Sequence, residues 1–238
     1  MYLKEKFDKI KMVKKMKKKS LILNIVIVLL TIFSSIIMFT GIKLTHGAEP
    51  ILETTKLGMF KFFTVDSNLF IGLVSLLFII KTLKNKEITK NMYILKLMST
   101  TSVTLTFLVV FLYLGPISKD GIISLLQNSN LFFHLIIPVL SIITFIKYEK
   151  TNLKLKDTIY GTIPTVIYAT IYLINILIHM ENGKVSPIYD WYWFVQNGVK
   201  QAIIVLPLIL LISYIISLIL WKLNRRLYDT RIFNRTTK

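Results

Sequence analysis

The side chains that could act as nucleophiles, acids, bases or metal ligands are few in this sequence. It contains no cysteine, which excludes disulfides, thiolate metal sites and thiol nucleophiles. Its three histidines, His46, His134 and His179, are too few for an elaborate metal centre, so we expect no metal and no cofactor. Any chemistry must therefore use hydroxyl, amide, carboxylate or imidazole groups.

Most of these polar groups lie within long apolar stretches. The chain is 54% hydrophobic, with a mean hydropathy of +0.63, and a soluble protein of this length would carry more polar surface. A helix needs about 20 mainly apolar residues to cross a hydrocarbon core of roughly 30 Å, and no segment alternates like a barrel strand. The sequence therefore predicts an all-α, polytopic transmembrane helical bundle of six spans, at about 21–42, 59–80, 94–115, 131–147, 159–180 and 201–221.

The basic residues predict the orientation of these spans. A net charge of +18 could indicate nucleic-acid binding, but lysine and arginine lie in short segments between uncharged runs, so we expect no nucleic-acid partner. Twenty-three of the 30 basic residues fall on one side, in segment 1–20, loops 81–90 and 147–156, and tail 222–238, against six on the other. The positive-inside rule then places both termini in the cytoplasm, flanking a transmembrane domain at 21–221.

The first apolar run is interpreted as a retained span. It is longer than the roughly 7–15 apolar residues of a signal peptide, and no A-x-A-like cleavage site follows it. The richness in lysine and isoleucine is typical of an AT-rich bacterial genome. We therefore expect a multi-pass protein of a bacterial plasma membrane.

Several polar residues of the spans share one depth, in the outer leaflet. The second span enters from the outer side, so Thr64 lies about one and a half turns inside the boundary, on one face with Asn68. The fourth span enters the same way and carries His134 about one turn in. The fifth leaves on that side with two polar residues on adjacent turns. The residues at this depth are Thr64, Asp66, Asn68, His134, Asn175 and His179.

Each of these residues also has a purely structural interpretation. A threonine in a membrane helix usually bonds back to the carbonyl one turn earlier, which would account for Thr64. Asn68 and Asn175 could hold helices together, contributing about 1 kcal/mol each. His179 is near the boundary and could be an interfacial residue. His134 needs a partner inside an apolar helix, and both interpretations stay open for it.

Short motifs in the sequence resemble a known family. Residues 61–68, KFFTVDSN, are similar to the second-span motif of the androgen-induced-protein family, also called FAR-seventeen-a-like. Residues 134–138, HLIIP, resemble its H-x-x-x-P element, and residues 186–189, SPIY, resemble its aromatic-proline loop. The nearest likeness is to its bacterial six-span "Pr-six-Pr" relatives. Those relatives often have glutamine at the position of Asp66, and usually tyrosine at that of Ser186.

The resemblance implies a chemistry for the outer residues. Animal members of the family look like threonine hydrolases that cleave fatty acid esters of hydroxy fatty acids. Carried over, Thr64 is the nucleophile and His134 is the base that takes its proton. Asn68, Asn175 and His179 would bind the substrate, and either asparagine could donate to the oxyanion. The expected partners are membrane lipids, with a lipid ester as substrate.

Two other function classes stay open. A small-molecule transporter or substrate-binding membrane subunit would use the same outer cluster as its binding site. A structural or regulatory membrane protein would carry out no chemistry. The spans lack paired carboxylates and matched Gly/Pro-broken half-helices, which argues against proton-coupled and inverted-repeat carriers. A hydrolase is therefore the first hypothesis and a transporter the alternative.

Overall fold

Six helices dominate the computed structural model, which describes residues 2–44, 54, 56–150, 153–195 and 198–236. All six are long and apolar enough to cross a membrane, and no segment of the described chain forms a sheet larger than one hairpin. The prediction of an all-α, six-span bundle is confirmed, and the chain is an integral membrane protein. The spans are Val13–Thr40, Phe63–Leu83, Lys90–Ile117, Ser129–Tyr148, Leu155–Ile178 and Lys200–Leu227.

Three spans are uninterrupted α-helices. The first belongs to helix Tyr2–Thr40, so the backbone of the basic N-terminal segment continues into the membrane without a break. A 3₁₀-helix, Lys56–Lys61, leads into the second helix, Phe63–Leu83. The sixth span lies within helix Val199–Thr236 and contains Pro207 without a break. Both termini therefore lie on the same side of the bundle, which the charge distribution predicts to be cytoplasmic.

The other three spans each contain a distorted segment that ends two residues before a proline. Pro116, Pro138 and Pro164 follow these segments. A proline has no N–H to donate and its ring crowds the carbonyl four residues earlier, so the helix there widens or tightens. The pieces are α Lys90–Val109, π Val110–Leu114 and α Gly115–Ile117; α Ser129–Leu131, π Phe132–Ile136, α Ile137–Ile143 and π Thr144–Tyr148; and 3₁₀ Leu155–Thr162 and α Ile163–Ile178.

Short elements complete the opposite side, which the charge distribution predicts to be the outer side. A single helical turn, Gly121–Ser124, lies between the third and fourth spans. After the fifth span, strand β1 (Met180–Glu181) pairs antiparallel with strand β2 (Lys184–Val185). Asn182 and Gly183 between them both have positive φ, at 51° and 76°, which suits a two-residue hairpin turn.

The third span is the central helix of the bundle. Its residues 99 to 106 are all buried, although most of them are serine or threonine. Small side chains also allow the helices around it to approach closely. A Cβ added to Gly72 of the second span would lie 2.8 Å from Thr31 of the first, and one added to Gly161 of the fifth would lie 2.3 Å from the Ser217 hydroxyl of the sixth. Both distances are too short for a side chain larger than that of glycine. This packing of small residues is typical of helices in lipid, where burial of apolar surface does not drive association.

One apolar cluster positions the outer part of the bundle. Phe62, directly before the second span, and Val65 within it pack with Phe133 and Ile137 of the fourth, and the first and third spans also contribute. Trp191 and Tyr192, from the loop after β2, pack against the same cluster. The fully buried Phe133 turns toward the core, so its neighbour His134 points to a different side of the helix.

Candidate functional site

Asn68 links the second span to the fourth through hydrogen bonds. Its side chain is fully buried, and Nδ2 donates to the carbonyl oxygens of Thr64, at 2.8 Å, and Phe133, at 3.1 Å. Because both partners are carbonyls, they must face the nitrogen of the amide. The helical turns that carry Thr64 and His134 are therefore held side by side.

The same bonds limit what Asn68 can do in a site. An amide nitrogen has two hydrogens, and the two carbonyls use both. Its Oδ1 atom has no hydrogen-bond partner among the described residues. In this state Asn68 has no N–H left to donate to an oxyanion, and its Oδ1 atom is buried.

The hydroxyl of Thr64 makes no hydrogen bond within the part of the chain that the structure describes. Thr104 and Thr144 behave differently, because each donates to the carbonyl four residues earlier, at 2.7 and 2.6 Å. Thr64 lies in the first turn of its helix, directly after the 3₁₀ segment, and is half-buried. The back-bonding expected of a structural threonine is therefore absent at this position, and the oxygen stays accessible.

His134 is oriented by a backbone carbonyl. Its Nδ1 atom lies 2.7 Å from the Leu125 oxygen, which belongs to the connection between the third and fourth spans. A carbonyl can only accept, so Nδ1 carries the proton, and in a neutral ring Nε2 holds the lone pair. A base whose other nitrogen is fixed by a third group is the arrangement that activates hydroxyl nucleophiles.

The local fold accounts for the position of His134. It lies within the π-helical turn Phe132–Ile136, and Pro138 is four residues beyond it. Because Pro138 has no N–H, it leaves the His134 carbonyl without its usual helical donor. Single π turns of this kind occur frequently at functional sites.

Asn175 and His179 contact the outer loop. The Asn175 amide donates to the Tyr189 carbonyl at 2.7 Å, and the His179 ring stacks on the Tyr189 ring with centroids 3.6 Å apart. Nδ1 of His179 pairs with the Asn175 carbonyl at 2.8 Å. None of these side-chain contacts joins them to Thr64 or His134, whereas Asn68 contacts the turns of both.

The buried carboxylate of Asp190 organises that loop. It is 1% exposed and accepts hydrogen bonds from the Tyr172 hydroxyl at 2.5 Å and from the backbone N–H groups of Phe194 and Val195. The same Tyr172 oxygen accepts from the N–H of Tyr192 at 3.1 Å. The loop is thus wound around one charged group and one tyrosine of the fifth span.

Two further tyrosines connect the loop to the helix that carries Thr64. The Tyr192 oxygen accepts from the N–H of Phe63 at 3.0 Å, which satisfies one of the unpaired donors at this helix start. The Tyr168 hydroxyl donates to the Lys61 carbonyl at 2.5 Å and accepts from the Trp191 indole at 3.1 Å. Burial raises the pKa of Tyr192 to about 12, so this phenol stays neutral at physiological pH.

Sequence reasoning did not identify Asp190 or the tyrosines as site residues. Tyr168, Tyr172 and His179 follow one another at helical spacing, with Asn175 between the last two, so they form one stripe on the fifth span. That spacing could have shown that the stripe and the aromatic loop face each other.

A second polar cluster lies at the other end of the bundle. Lys96 is fully buried, and its Nζ lies 2.6 Å from Asn24 Oδ1, 2.9 Å from Ser75 Oγ and 3.6 Å from Glu149 Oε1. The Asn24 amide donates to the same Glu149 oxygen at 2.7 Å. Oε2 of Glu149 is buried without a hydrogen-bond partner in the described chain. An ion pair of this kind within a membrane is a candidate for function as well as for structure.

No group of three or more metal-ligating side chains occurs among the described residues. Comparisons with protein-family models, with curated proteins and with solved structures found no match. The candidate site therefore depends on its own geometry and on the sequence motifs quoted above.

Proposed function

We propose that this membrane protein is a threonine-type hydrolase of fatty-acyl lipid esters, with Thr64 as the nucleophile and His134 as the general base. The observation that carries the proposal is that two features occur on neighbouring turns of the second and fourth spans. The Thr64 hydroxyl makes no hydrogen bond with the described residues, and the His134 ring is held in the tautomer whose Nε2 is basic. The resemblance of residues 61–68 and 134–138 to the androgen-induced-protein family supports the same assignment.

The reaction follows from these groups. Nε2 of His134 takes the proton as Thr64 Oγ bonds to the ester carbonyl carbon. The ester C–O bond then breaks, and the leaving alkoxide receives the proton from the imidazolium. Water attacks the acyl-threonine with the help of the same base, which releases the fatty acid and restores the threonine.

The surroundings suit a substrate dissolved in lipid. Thr64 lies in the first turn of its span and the aromatic loop covers this helix start, so an ester could arrive from the outer leaflet without leaving the membrane. Asn68, predicted to bind the substrate, would instead position the turns of Thr64 and His134, because its side chain is fully buried. Asn175 and His179 would act through the loop that they hold. In line with its composition, we place the protein in a bacterial plasma membrane.

Labelling by a fluorophosphonate probe tests the mechanism. Wild-type protein in detergent is expected to label, whereas Thr64→Ala and His134→Ala reduce labelling to background and Thr64→Ser retains it. Thr170→Ala is the matched control, because Thr170 is an exposed threonine of the fifth span whose hydroxyl bonds to the Val166 carbonyl. Equal labelling of wild type and both alanine variants would rule out this nucleophile and base.

The buried Lys96–Glu149 pair favours a second candidate, a transporter. Charged side chains inside a bundle are typical of ion and proton pathways, and Oε2 of Glu149 lacks a partner within the described chain. This candidate predicts potential-driven proton flux into proteoliposomes, measured with a pH-sensitive dye. The flux would disappear in Glu149→Gln and persist in Thr64→Ala. Flux no greater than in empty liposomes would exclude proton transport.

A further inference from the structure

Polar and small residues form one stripe along each of the first three spans. Within each stripe, spacings of three, four and seven residues place the side chains on one face of the helix. The stripes contain Asn24, Thr31, Ser34 and Ser35 of the first span, Asn68, Gly72 and Ser75 of the second, and Lys96 and Thr100 of the third.

Contacts between the spans show that the three stripes face one another. At the inner end, Lys96 Nζ bonds to Asn24 Oδ1 at 2.6 Å and to Ser75 Oγ at 2.9 Å, so one group from each span meets there. Further out, a Cβ added to Gly72 would lie 2.8 Å from Thr31, which brings the first two stripes together again. We call the interior that these stripes enclose the three-helix seam.

Five oxygen atoms of the three-helix seam have no hydrogen-bond partner among the described residues. They are Thr31 Oγ1, Ser34 Oγ, Ser35 Oγ, Asn68 Oδ1 and Thr100 Oγ1. Apart from the half-buried Ser35, the residues that carry them are at most 4% exposed. Other buried hydroxyls of the spans bond back to the carbonyl four residues earlier, as Ser141 and Thr144 do at 2.8 and 2.6 Å. The hydroxyls of the seam do not.

Such oxygens need a partner that is small and polar. A buried hydroxyl or amide without a hydrogen bond is unfavourable, and lipid chains cannot supply one. Buried water commonly satisfies groups of this kind, with about three hydrogen bonds per molecule. The seam extends over about 16 Å, counted from Asn24 to Ser35 at 1.5 Å per residue, so it is long enough for several waters in a row.

We propose that the three-helix seam binds a file of water molecules that connects the Lys96–Glu149 pair to Asn68. From the pair outward, Thr100 and Thr31 provide unpaired oxygens, and Asn68 Oδ1 lies at the outer end. Hydrogen-bonded water conducts protons and is also consumed in ester hydrolysis, so such a file would serve either function proposed above. The binding of water itself depends on neither function.

Radiolytic labelling tests the proposal, because X-rays convert bound water into hydroxyl radicals that oxidise the side chains beside it. Phe133 and Phe145 of the fourth span form a matched pair of reporters, since both are 0% exposed. Phe133 packs in one cluster with Ile27 and Ile71 of the first two spans. Its carbonyl also accepts from Asn68, whereas Phe145 belongs to a different cluster. In wild-type protein in nanodiscs, we expect Phe133 to be oxidised at least about tenfold faster than Phe145.

A triple variant tests whether the hydroxyls of the seam hold this water. Thr31→Val/Ser34→Ala/Thr100→Val removes three of the unpaired hydroxyls and is expected to lower the oxidation of Phe133 to that of Phe145. Unchanged oxidation of Phe133 in this variant overturns the proposal. Equal oxidation of the two phenylalanines in wild type also overturns it, and that result does not require the variant to fold.

A second triple variant is the matched control. Ser141→Ala/Thr144→Val/Thr162→Val removes one serine and two threonine hydroxyls that bond to carbonyls of their own spans. The oxidation of Phe133 should stay at the wild-type level in this control. An equal loss of oxidation in both triple variants would mean that general loosening of the bundle, rather than water held by the seam, controls the labelling, and the proposal would fail.

Discussion

The two polar regions of the bundle use their buried groups differently. In the inner region, around Lys96 and Glu149, charged groups bond to one another, and Asn24 and Ser75 complete the network. In the outer region, Asn68 fixes two helices. Among the described residues, the Thr64 hydroxyl makes no hydrogen bond, and the His134 ring is held through Nδ1 alone. A network whose members bond to one another holds helices together, whereas accessible reactive atoms on fixed helices suit a site that receives a substrate.

The largest expected effect on stability is in the inner region. Lys96→Met leaves the buried Glu149 carboxylate without its cation, which costs on the order of 3–5 kcal/mol. For a protein of this size, such a loss lowers the melting temperature by roughly 6–20 °C. Thermal unfolding in detergent micelles, followed by tryptophan fluorescence, measures it.

A double variant identifies the cause of this loss. In Lys96→Met/Glu149→Gln neither partner is charged, so a substantial part of the melting temperature is expected to return. If the single variant Lys96→Met melts within 2 °C of wild type, the Lys96–Glu149 pair has little role in stability. The two regions would then not differ in the way described.

The second prediction concerns the loop that covers the outer region. Tyr172→Phe removes the hydroxyl that donates to the buried Asp190 carboxylate and accepts from the N–H of Tyr192. A hydrogen bond to a charged group contributes about 1.5–3 kcal/mol, and we expect the cost to appear locally. Hydrogen exchange of residues 186–195 should increase at least tenfold, whereas exchange of the third span stays unchanged. Uniform destabilisation of the whole bundle would contradict this local role.

Two asparagines allow the comparison to be made with matched groups. Asn68 donates to two carbonyls of the outer region, and Asn224 of the sixth span donates to the carbonyls of Phe145 and Glu149, at 2.6 and 2.8 Å, in the inner region. Alanine at either position is expected to cost about 1 kcal/mol, because both lose interhelical hydrogen bonds in lipid.

Their effects on fluorophosphonate labelling should differ. Asn68→Ala is expected to lower the labelling rate at least tenfold, since it releases the turn of Thr64 from that of Phe133 and His134. Asn224→Ala should leave the rate within twofold of wild type. Equal reductions in both variants would attribute the loss to general destabilisation.

The sequence predicts the spans better than it predicts the contacts of their polar residues. Segments of about 20 apolar residues, bounded by lysines, can only be helices in lipid, and the six spans follow from that. Counting residues from the span ends predicts a similar depth for Asn68 and His134, and Asn68 donates to the carbonyl of Phe133, the residue before His134. Span boundaries differ by up to eight residues, as at Val13 against 21, because the first helix continues into the basic segment.

Contacts between distant segments could not be obtained in this way. The pairing of Lys96 with Glu149 depends on which face of the third span meets the end of the fourth, and hydropathy does not contain that information. The winding of the outer loop around Asp190 depends on three donors from separate positions. Asn175 and His179 have the expected depth, but their contacts depend on the path of this loop.

The smallest expected change in stability is at Thr64. Thr64→Val keeps the shape of the side chain, and the lost hydroxyl makes no hydrogen bond in the described part of the chain, so the cost should stay below about 0.5 kcal/mol. Thr165→Val is the matched control, because the Thr165 hydroxyl pairs with that of Ser213 across the fifth and sixth spans at 3.1 Å, and its loss should cost about 1 kcal/mol. Fluorophosphonate labelling should show the reverse order: none in Thr64→Val and full labelling in Thr165→Val. A fall in melting temperature at Thr64 as large as at Thr165 would mean that the Thr64 hydroxyl holds helices together. The outer region would then be a structural network like the inner one.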